Sequence, residues 1–346
     1  MNIEIRPLNV DDDAEVAEVL ALRKAVNAAD TPDQAAPCGV AFRARLREHD
    51  HNHRHERAAA IVDGRVVGLS DLEFPQTDNL HAAWGGIEVL PEHRRRGIGG
   101  ALMEHAIAAA RADDRRSLCM DACVTGDWPD VPKRDEAGRH FLESFGFDLA
   151  LKSIDRRADV EALDAATIDT LHAETLAKSA DYETVAWSGT SPDELLAPMA
   201  ALNSTFLDEA PLGDLDLEAE KIDAERERDR RDRAVAAGLF TCGVVARLKG
   251  SEDLVAITVI GVPTEPGTHA HQWMTLVSPE HRGHKLGLRV KLENWRLLRR
   301  ERPRVRWIDT DNAAVNDHMI AINEAMGFKP VDYLYEYQLD VTKTSH

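Results

Sequence analysis

Pro91-Glu92-His93-Arg94-Arg95-Arg96-Gly97-Ile98-Gly99-Gly100 and Pro279-Glu280-His281-Arg282-Gly283-His284-Lys285-Leu286-Gly287 open with the same tetrapeptide and sit in the same surroundings. Each follows a strand-like apolar run, residues 82–89 and 272–277, and each leads into a helical pattern. Further on, a second helical pattern closes on a Gly-Phe pair, Gly146-Phe147 in one case and Gly327-Phe328 in the other. The order of elements in one domain is written twice.

Outward from these stretches the copies match. The first has a strand at 3–6, a helix at 13–29 with Val16, Val19, Leu20 and Leu22 near helical spacing, and a hairpin of 58–62 and 66–72. Asp63-Gly64 joins the hairpin, and its glycine accepts the positive φ such a turn needs. A strand at 118–123, a helix at 136–145 and a last strand from Phe147 complete it. The second copy has a strand at 182–187, a helix at 192–207 and a hairpin within 240–262. A strand at 305–310, a helix at 313–326 and a final strand through 333–339 follow. Residues 158–180 are rich in Ala, Asp and Leu without Gly or Pro, which predicts a connecting helix. The expected division is 1–157, a linker at 158–180, and 181–346.

The chain has 346 residues, which suits two domains, each large enough for its own core. With 42 Lys plus Arg against 61 Asp plus Glu, the net charge of −19 repels a phosphate backbone and argues against nucleic acid as a partner. No run approaches the roughly 18 apolar residues of a membrane span, and residues 1–13 carry no apolar signal, so a cytoplasmic protein is expected. Four scattered cysteines form no disulfide framework, and the alternation around Cys119 and Cys123 predicts buried thiols. The run His49, Asp50, His51, His53, His55 lacks tight ligand spacing and reads as solvated; no metal is expected.

Between strand and helix, Arg94 to Gly100 form an anion cradle. Unpaired N–H groups at the helix start point outward, glycines let a phosphate approach, and arginines supply charge. The spacing fits neither a dinucleotide loop nor a nucleoside-triphosphate loop. Together with the antiparallel entry and the closing Gly-Phe, the Arg-x-x-Gly-x-Gly pattern at Arg94, Gly97 and Gly99 resembles the GNAT family of acetyl-CoA-dependent N-acetyltransferases. The resemblance covers nearly the whole chain as two tandem domains, organised as in proteins resembling mycothiol synthase. It implies an α+β fold in which each domain is a mixed, mostly antiparallel sheet flanked by helices.

The resemblance implies that acetyl-CoA, as co-substrate, is held by Val89, Arg94, Arg95, Arg96, Gly97, Gly99 and Gly100 in the first copy. In the second the matching positions are Leu276, Val277, Arg282, Gly283, His284, Lys285 and Gly287, with Asn312 and Asn316 on the CoA arm. The second loop departs from the pattern, because Lys285 stands where the middle glycine is expected. Asn316 has no counterpart in the first copy, so the second is expected to be the catalytic one.

Acetyl transfer to an amine needs a base for the amine proton and an acid for the leaving thiolate. Glu88 is the base candidate of the first copy; the second has Leu276 at that position, leaving His271 and Gln272 nearby. The Tyr that many family members place four residues before the Gly of Gly-Phe is replaced by Leu142 and Asn323. Tyr333 and Tyr335, on one face of the last strand with Tyr337, are the substitute acids. The acidic run at 208–218 follows the helix that borders the acceptor pocket in the family; it reads as a solvated loop, with attraction of a cationic amine as the alternative. The function expected is N-acetylation of a small-molecule primary amine; a homodimer is the assembly the resemblance allows. The alternatives are a non-catalytic acyl-CoA-binding regulator and a protein or peptide N-acetyltransferase.

Overall fold

The computed structural model describes residues 2–47, 50–162 and 164–343. They fold into two compact units. Unit 1 consists of Met1–Ser153, Leu212–Glu218 and Asp332–His346; unit 2 consists of Ile154–Pro211 and Ala219–Val331.

In unit 1, β1 (Glu4–Pro7), β2 (His53–Val62), β3 (Arg65–Pro75) and β4 (Ala82–Val89) pair antiparallel in succession. Asp63 and Gly64 carry φ of 50° and 77°, the two left-handed residues expected of this hairpin turn. β4 then runs parallel to β5 (Ser117–Thr125), but the pairing lasts only from Ala82↔Ser117 to Trp84↔Cys119. Past Trp84 the β5-facing edge of β4 is released. The other edge of β5 takes β12 (Lys329–Asp340), in register from Asp332↔Thr125 to Asp340↔Ser117. The first half of β6 (Asp148–Asp159) lies beyond β12.

α1 (Asp13–Asp30), capped by Asp12, and α2 (Gly39–Arg47) bury Val16, Val19, Leu22, Phe42 and Leu46, each worth about 1.5–3 kcal/mol. α3 (Ile98–Ala112) and α4 (Ala137–Ser144) pack Met103, Ala106 and Leu142 around Met120 and Tyr337. Residues in register share a face of the sheet. Glu88, opposite Leu69, faces α1, whereas a Cβ on Gly68 would sit 2.9 Å from Leu102 of α3, so the helix pairs cover opposite faces.

Residues 212–218 form a strap on this unit. The Asp214 N–H donates to the Ala150 carbonyl (2.9 Å), the Asp216 N–H to Gln338 Oε1 (2.9 Å) and the Glu218 N–H to Asn79 Oδ1 (2.7 Å).

Unit 2 repeats the plan. The second half of β6 lies beside β11 (Trp307–Ala313), followed by β10 (His269–Val277), β9 (Leu254–Val262), β8 (Phe240–Leu248) and β7 (Tyr182–Ser188). β10 and β11 are parallel only from His269↔Trp307 to His271↔Asp309, and β10 is irregular against β9 between Gln272 and Thr275. α5 (Ala165–Lys178), α6 (Asp193–Asn203), α7 (Phe206–Glu209), α8 (Ala224–Ala236), α9 (Leu286–Glu301) and α10 (Asp317–Ala325) complete it. Each unit has the mixed, mostly antiparallel sheet flanked by helices that the sequence leads one to expect.

Candidate functional site

The two loops follow one backbone path with their glycines in different places. In unit 1, Arg95 (φ 59°) and Gly97 (φ 86°) are left-handed; in unit 2, Gly283 (φ 84°) and Lys285 (φ 55°) are. Gly97 and Lys285 are the N-caps of α3 and α9, and neither helix has a side-chain cap. The N–H groups of Ile98, Gly99 and Gly100, and of Leu286, Gly287 and Leu288, therefore have no partner within their helices and meet the partial positive charge of the helix start. This chemistry fits a pyrophosphate in either loop.

The side chains differ from expectation. Arg94 is held by Asp30 through two bonds of 2.7 Å, with its Nε donating to the Val89 carbonyl at 3.1 Å. In unit 2, Arg282 meets Glu209 at 2.5 Å and Lys285 meets Glu174 at 2.8 Å. Among the described residues Arg95 and Arg96 form no ion pair. A cavity of about 520 Å³ lies alongside, lined by Arg95, Asp135, Glu136, His140 and Phe141 among others.

A second cavity of unit 1, about 590 Å³, opens where β4 and β5 stop pairing; Glu88 and Ile87 of β4, Asp121 and Cys123 of β5, and Arg23 and Asn27 of α1 line it. Arg23 Nε donates to Glu88 Oε1 at 3.1 Å, while Glu88 Oε2 is buried with no hydrogen-bond partner. Desolvation raises the Glu88 carboxyl above the ordinary range, against the opposing pull of Arg23. One oxygen is anchored by Arg23 and the other is buried without a donor, in a side chain that helps line the cavity. Such a carboxylate can accept a proton from a bound group.

Unit 2 has no such group at the equivalent place. Leu276 is buried against Trp187, Leu195 and Met199. Gln272 is also buried, its Nε2 donating to Thr258 Oγ1 (2.9 Å) and the Val259 carbonyl (2.8 Å). His271 is half exposed, 3.8 Å from Asp311. Asn316 caps α10, its Oδ1 accepting the Met319 N–H at 3.1 Å, and Asn312 is turned into the interior, accepting from Asn323 at 3.1 Å.

Tyr333, Tyr335 and Tyr337 alternate on one face as expected, but that face belongs to the sheet of unit 1. Tyr335 is opposite Ala122, so the stripe lies on the α3–α4 side, across the sheet from Glu88. Tyr333 stacks on Trp128 with centroids 4.6 Å apart, Lys152 Nζ lies 3.6 Å from the Tyr333 ring centre, and Tyr337 donates to Glu143 at 3.1 Å. The structure does not bring Tyr333 or Tyr335 together with Glu88. The acidic run also departs from expectation, because the Asp216 carboxylate is paired with Arg116 in the strap. His49 lies outside the described residues. His53 contacts Asp50 at 2.9 Å, and His55 lies 3.8 and 3.7 Å from Asp71 and Glu73. The free thiols of Cys119 and Cys242 are buried, which pushes each up to about 12.

Sequence reasoning missed Arg23, Asp30, Asp121 and Arg134. Arg134 donates to Asp332 at 2.6 Å and Asp33 at 2.5 Å. The partners of Arg23, Asp30 and Arg134 are distant in the chain, and the place of Asp121 at the cavity depends on strand pairing, so no local pattern signals them.

Residues 22–147 match the Acetyltransferase (GNAT) family. No curated protein matches the chain significantly by sequence. Among solved structures, the chain is similar to a tandem GNAT protein from the clavulanic acid biosynthesis pathway, solved without AcCoA. The identity is 28%, the match covers 99% of this chain and 100% of that one, and the TM-score is 0.82. A GCN5-related N-acetyltransferase from Sphaerobacter thermophilus shares 13% identity over 98% of this chain and 96% of that one, TM-score 0.65. Saccharomyces cerevisiae N-myristoyltransferase with bound myristoyl-CoA shares 9% over 98% and 79%, TM-score 0.61. The last two likenesses are of fold alone. Among the described residues no helix is long and apolar enough to cross a membrane.

Proposed function

We propose, for a chain whose residues 22–147 match the GNAT acetyltransferase family and whose fold is similar to that of a tandem GNAT protein, that unit 1 moves an acetyl group from acetyl-CoA to a primary amine of a small molecule. The observation that carries this reading is Glu88, a carboxylate with one unpartnered, buried oxygen whose side chain lines the cavity where β4 and β5 stop pairing. The first copy is thereby favoured over the second, to which the sequence gives more weight through Asn316.

When bound, acetyl-CoA supplies an acetyl carbon already activated as a thioester. The loop N–H groups of Ile98, Gly99 and Gly100, with Arg95 and Arg96, would hold its phosphates. The released edge of β4, residues 85–89, offers backbone N–H groups to the pantetheine arm and the thioester oxygen. Glu88 takes a proton from the attacking amine, directly or through water. The N–C bond forms, the C–S bond breaks, and the proton is returned to the sulfur. An amine of pKa about 10 is mostly protonated at neutral pH, so a base held above the ordinary carboxylate range is matched to the task.

Unit 2 keeps the loop geometry but buries Leu276 where unit 1 has Glu88. This supports an acyl-CoA-binding role for that unit without turnover. The reading is tested by following thiol release from acetyl-CoA with a panel of primary amines. Glu88→Gln is expected to lower kcat about 10²- to 10⁴-fold while acetyl-CoA binding persists. Full activity of Glu88→Gln would remove the assignment. Charge reversal of Arg95 and Arg96 is expected to weaken acetyl-CoA binding to unit 1, and reversal of Lys285 to leave turnover intact.

A further inference from the structure

The charges around the 590 Å³ cavity do not cancel within the protein. Each guanidinium that lines it already faces an acid: Arg23 is on Glu88 at 3.1 Å, Arg134 lies between Asp33 and Asp332, and Arg45 is 3.9 Å from Glu73. Asp30 is likewise taken by Arg94. Asp121 is not. It lies on β5 two residues past Cys119, the last residue paired with β4, on the same face as Glu88 and open to the cavity. Among the described residues no cation pairs with its carboxylate, which accepts a hydrogen bond only from its own backbone N–H. Asp135, on another part of the wall, forms no ion pair among the described residues, though it lies within the field of Arg94; its Oδ1 accepts the Ala137 N–H at 3.0 Å.

We infer that the acceptor of unit 1 is a dication, a linear diamine whose reacting nitrogen meets Glu88 and whose second ammonium is held by Asp121. The inference rests on the acetyl-transfer reading and adds the substrate class to it. The chemistry is unchanged: one nitrogen gains the acetyl group and gives a proton to Glu88, and the far ammonium stays protonated. Asp121 is a specificity residue that sets which amine stays in the cavity. Desolvation raises its carboxyl above the ordinary range against the opposing hydrogen bond from its own backbone N–H, and an arriving ammonium would offset part of that cost.

The test compares 1,4-diaminobutane, butylamine and γ-aminobutyrate as acceptors, by thiol release and by calorimetric binding without acetyl-CoA, in the wild type, Asp121→Asn and Asp121→Glu. The diamine is expected to exceed butylamine about tenfold in kcat/KM, the size of one partly desolvated charge pair. Asp121→Asn should erase that preference through KM rather than kcat, and Asp121→Glu should restore part of it. Equal use of butylamine or γ-aminobutyrate, or a preference unchanged in Asp121→Asn, overturns the inference and leaves the acetyl-transfer reading standing. Diamine binding that Asp121→Asn abolishes, with no acetylation of any amine, sinks the acetyl-transfer reading and keeps the cation site. Neither binding nor turnover removes both.

Discussion

Met103 and Lys291 occupy the same place in their helices, nine residues after Arg94 and Arg282, and Leu142 and Asn323 each stand four residues before the glycine of Gly-Phe. Unit 1 fills this part of its core with the apolar pair. Unit 2 fills it with a hydrogen-bonded chain in which Lys291 Nζ donates to Asn323 Oδ1 (2.7 Å), Asn323 Nδ2 to Asn312 Oδ1 (3.1 Å), and Asn312 Nδ2 to the Ala313 carbonyl (2.9 Å). Lys291 is 1% exposed, lies 4.9 Å from the centre of the Phe328 ring, and has no acidic partner among the described residues. One fold position thus accepts a methionine or an ammonium, provided the polar version is bonded throughout. At the base position the contrast reverses: unit 1 keeps the charge, Glu88, and unit 2 the hydrocarbon, Leu276. Polarity has been moved within the domain, and the carboxylate of unit 1 helps line the cavity where β4 and β5 stop pairing.

The comparison breaks most severely if the units do not need each other's chain segments. A fragment ending at residue 157 lacks 212–218 and 332–346, so β5 loses its partner from Asp332 to Asp340 and Arg134 loses Asp332. It is expected to aggregate or fail to show a cooperative transition by circular dichroism. Adding residues 332–346 as a peptide should recover part of the transition. A cooperative, soluble 1–157 fragment would mean that unit 1 closes without that strand.

Next in size is the Lys291 core. Burial pushes this lysine down to about 7, whereas in the unfolded chain it stays protonated to about 10.4. Between those values the unfolded state binds more protons, so stability should rise as pH increases from about 7 to about 10 and change little from this group below 7. The double variant Lys291→Met, Asn323→Leu copies unit 1 and should remove this rise, with a gain of about 1–4 kcal/mol at neutral pH in urea denaturation. Lys291→Met alone strands Asn323 Oδ1 without its donor and should gain less. A pH-stability curve unchanged by the double variant would show that Lys291 is not titrating in the core.

The Glu88 comparison is read in a pH profile. With its carboxyl raised, kcat/KM should fall on the acid side through an apparent pKa above 4.5, and the limb should vanish in Glu88→Gln. The smallest effects belong to the loops. Arg95→Gly and Lys285→Gly each relieve a left-handed non-glycine residue and should stabilise by about 0.5–1 kcal/mol after the entropy of glycine is counted. Gly97→Lys, which makes unit 1 resemble unit 2, should cost about 1–2 kcal/mol.

The repeated Pro-Glu-His-Arg, the two Gly-Phe pairs and the alternation of the strands were enough to establish the duplicated fold and to bring Glu88 and both loops into view. These are local signals, set by spacing along one strand or turn. The departure at Lys285 was visible, but that it conserves the backbone path, with the glycine moved to position 283, needed the dihedral angles. Likewise the alternation of Tyr333, Tyr335 and Tyr337 put them on one face from sequence alone. Alternation is blind to which neighbouring strand will pair, so their place beside β5, across the sheet from Glu88, was decided by tertiary structure. The same holds for Arg94, which a sequence reading aims at a phosphate and the fold gives to Asp30, and for Asp121, whose lack of a counterion emerges only once every nearby arginine has found its acid. Sequence by itself determined the order of elements and the residues that open each helix, because both follow from chain-local sterics and periodicity. The partner of each strand edge and each buried charge was a tertiary decision, because long-range pairing depends on which groups are left unsatisfied when the units close.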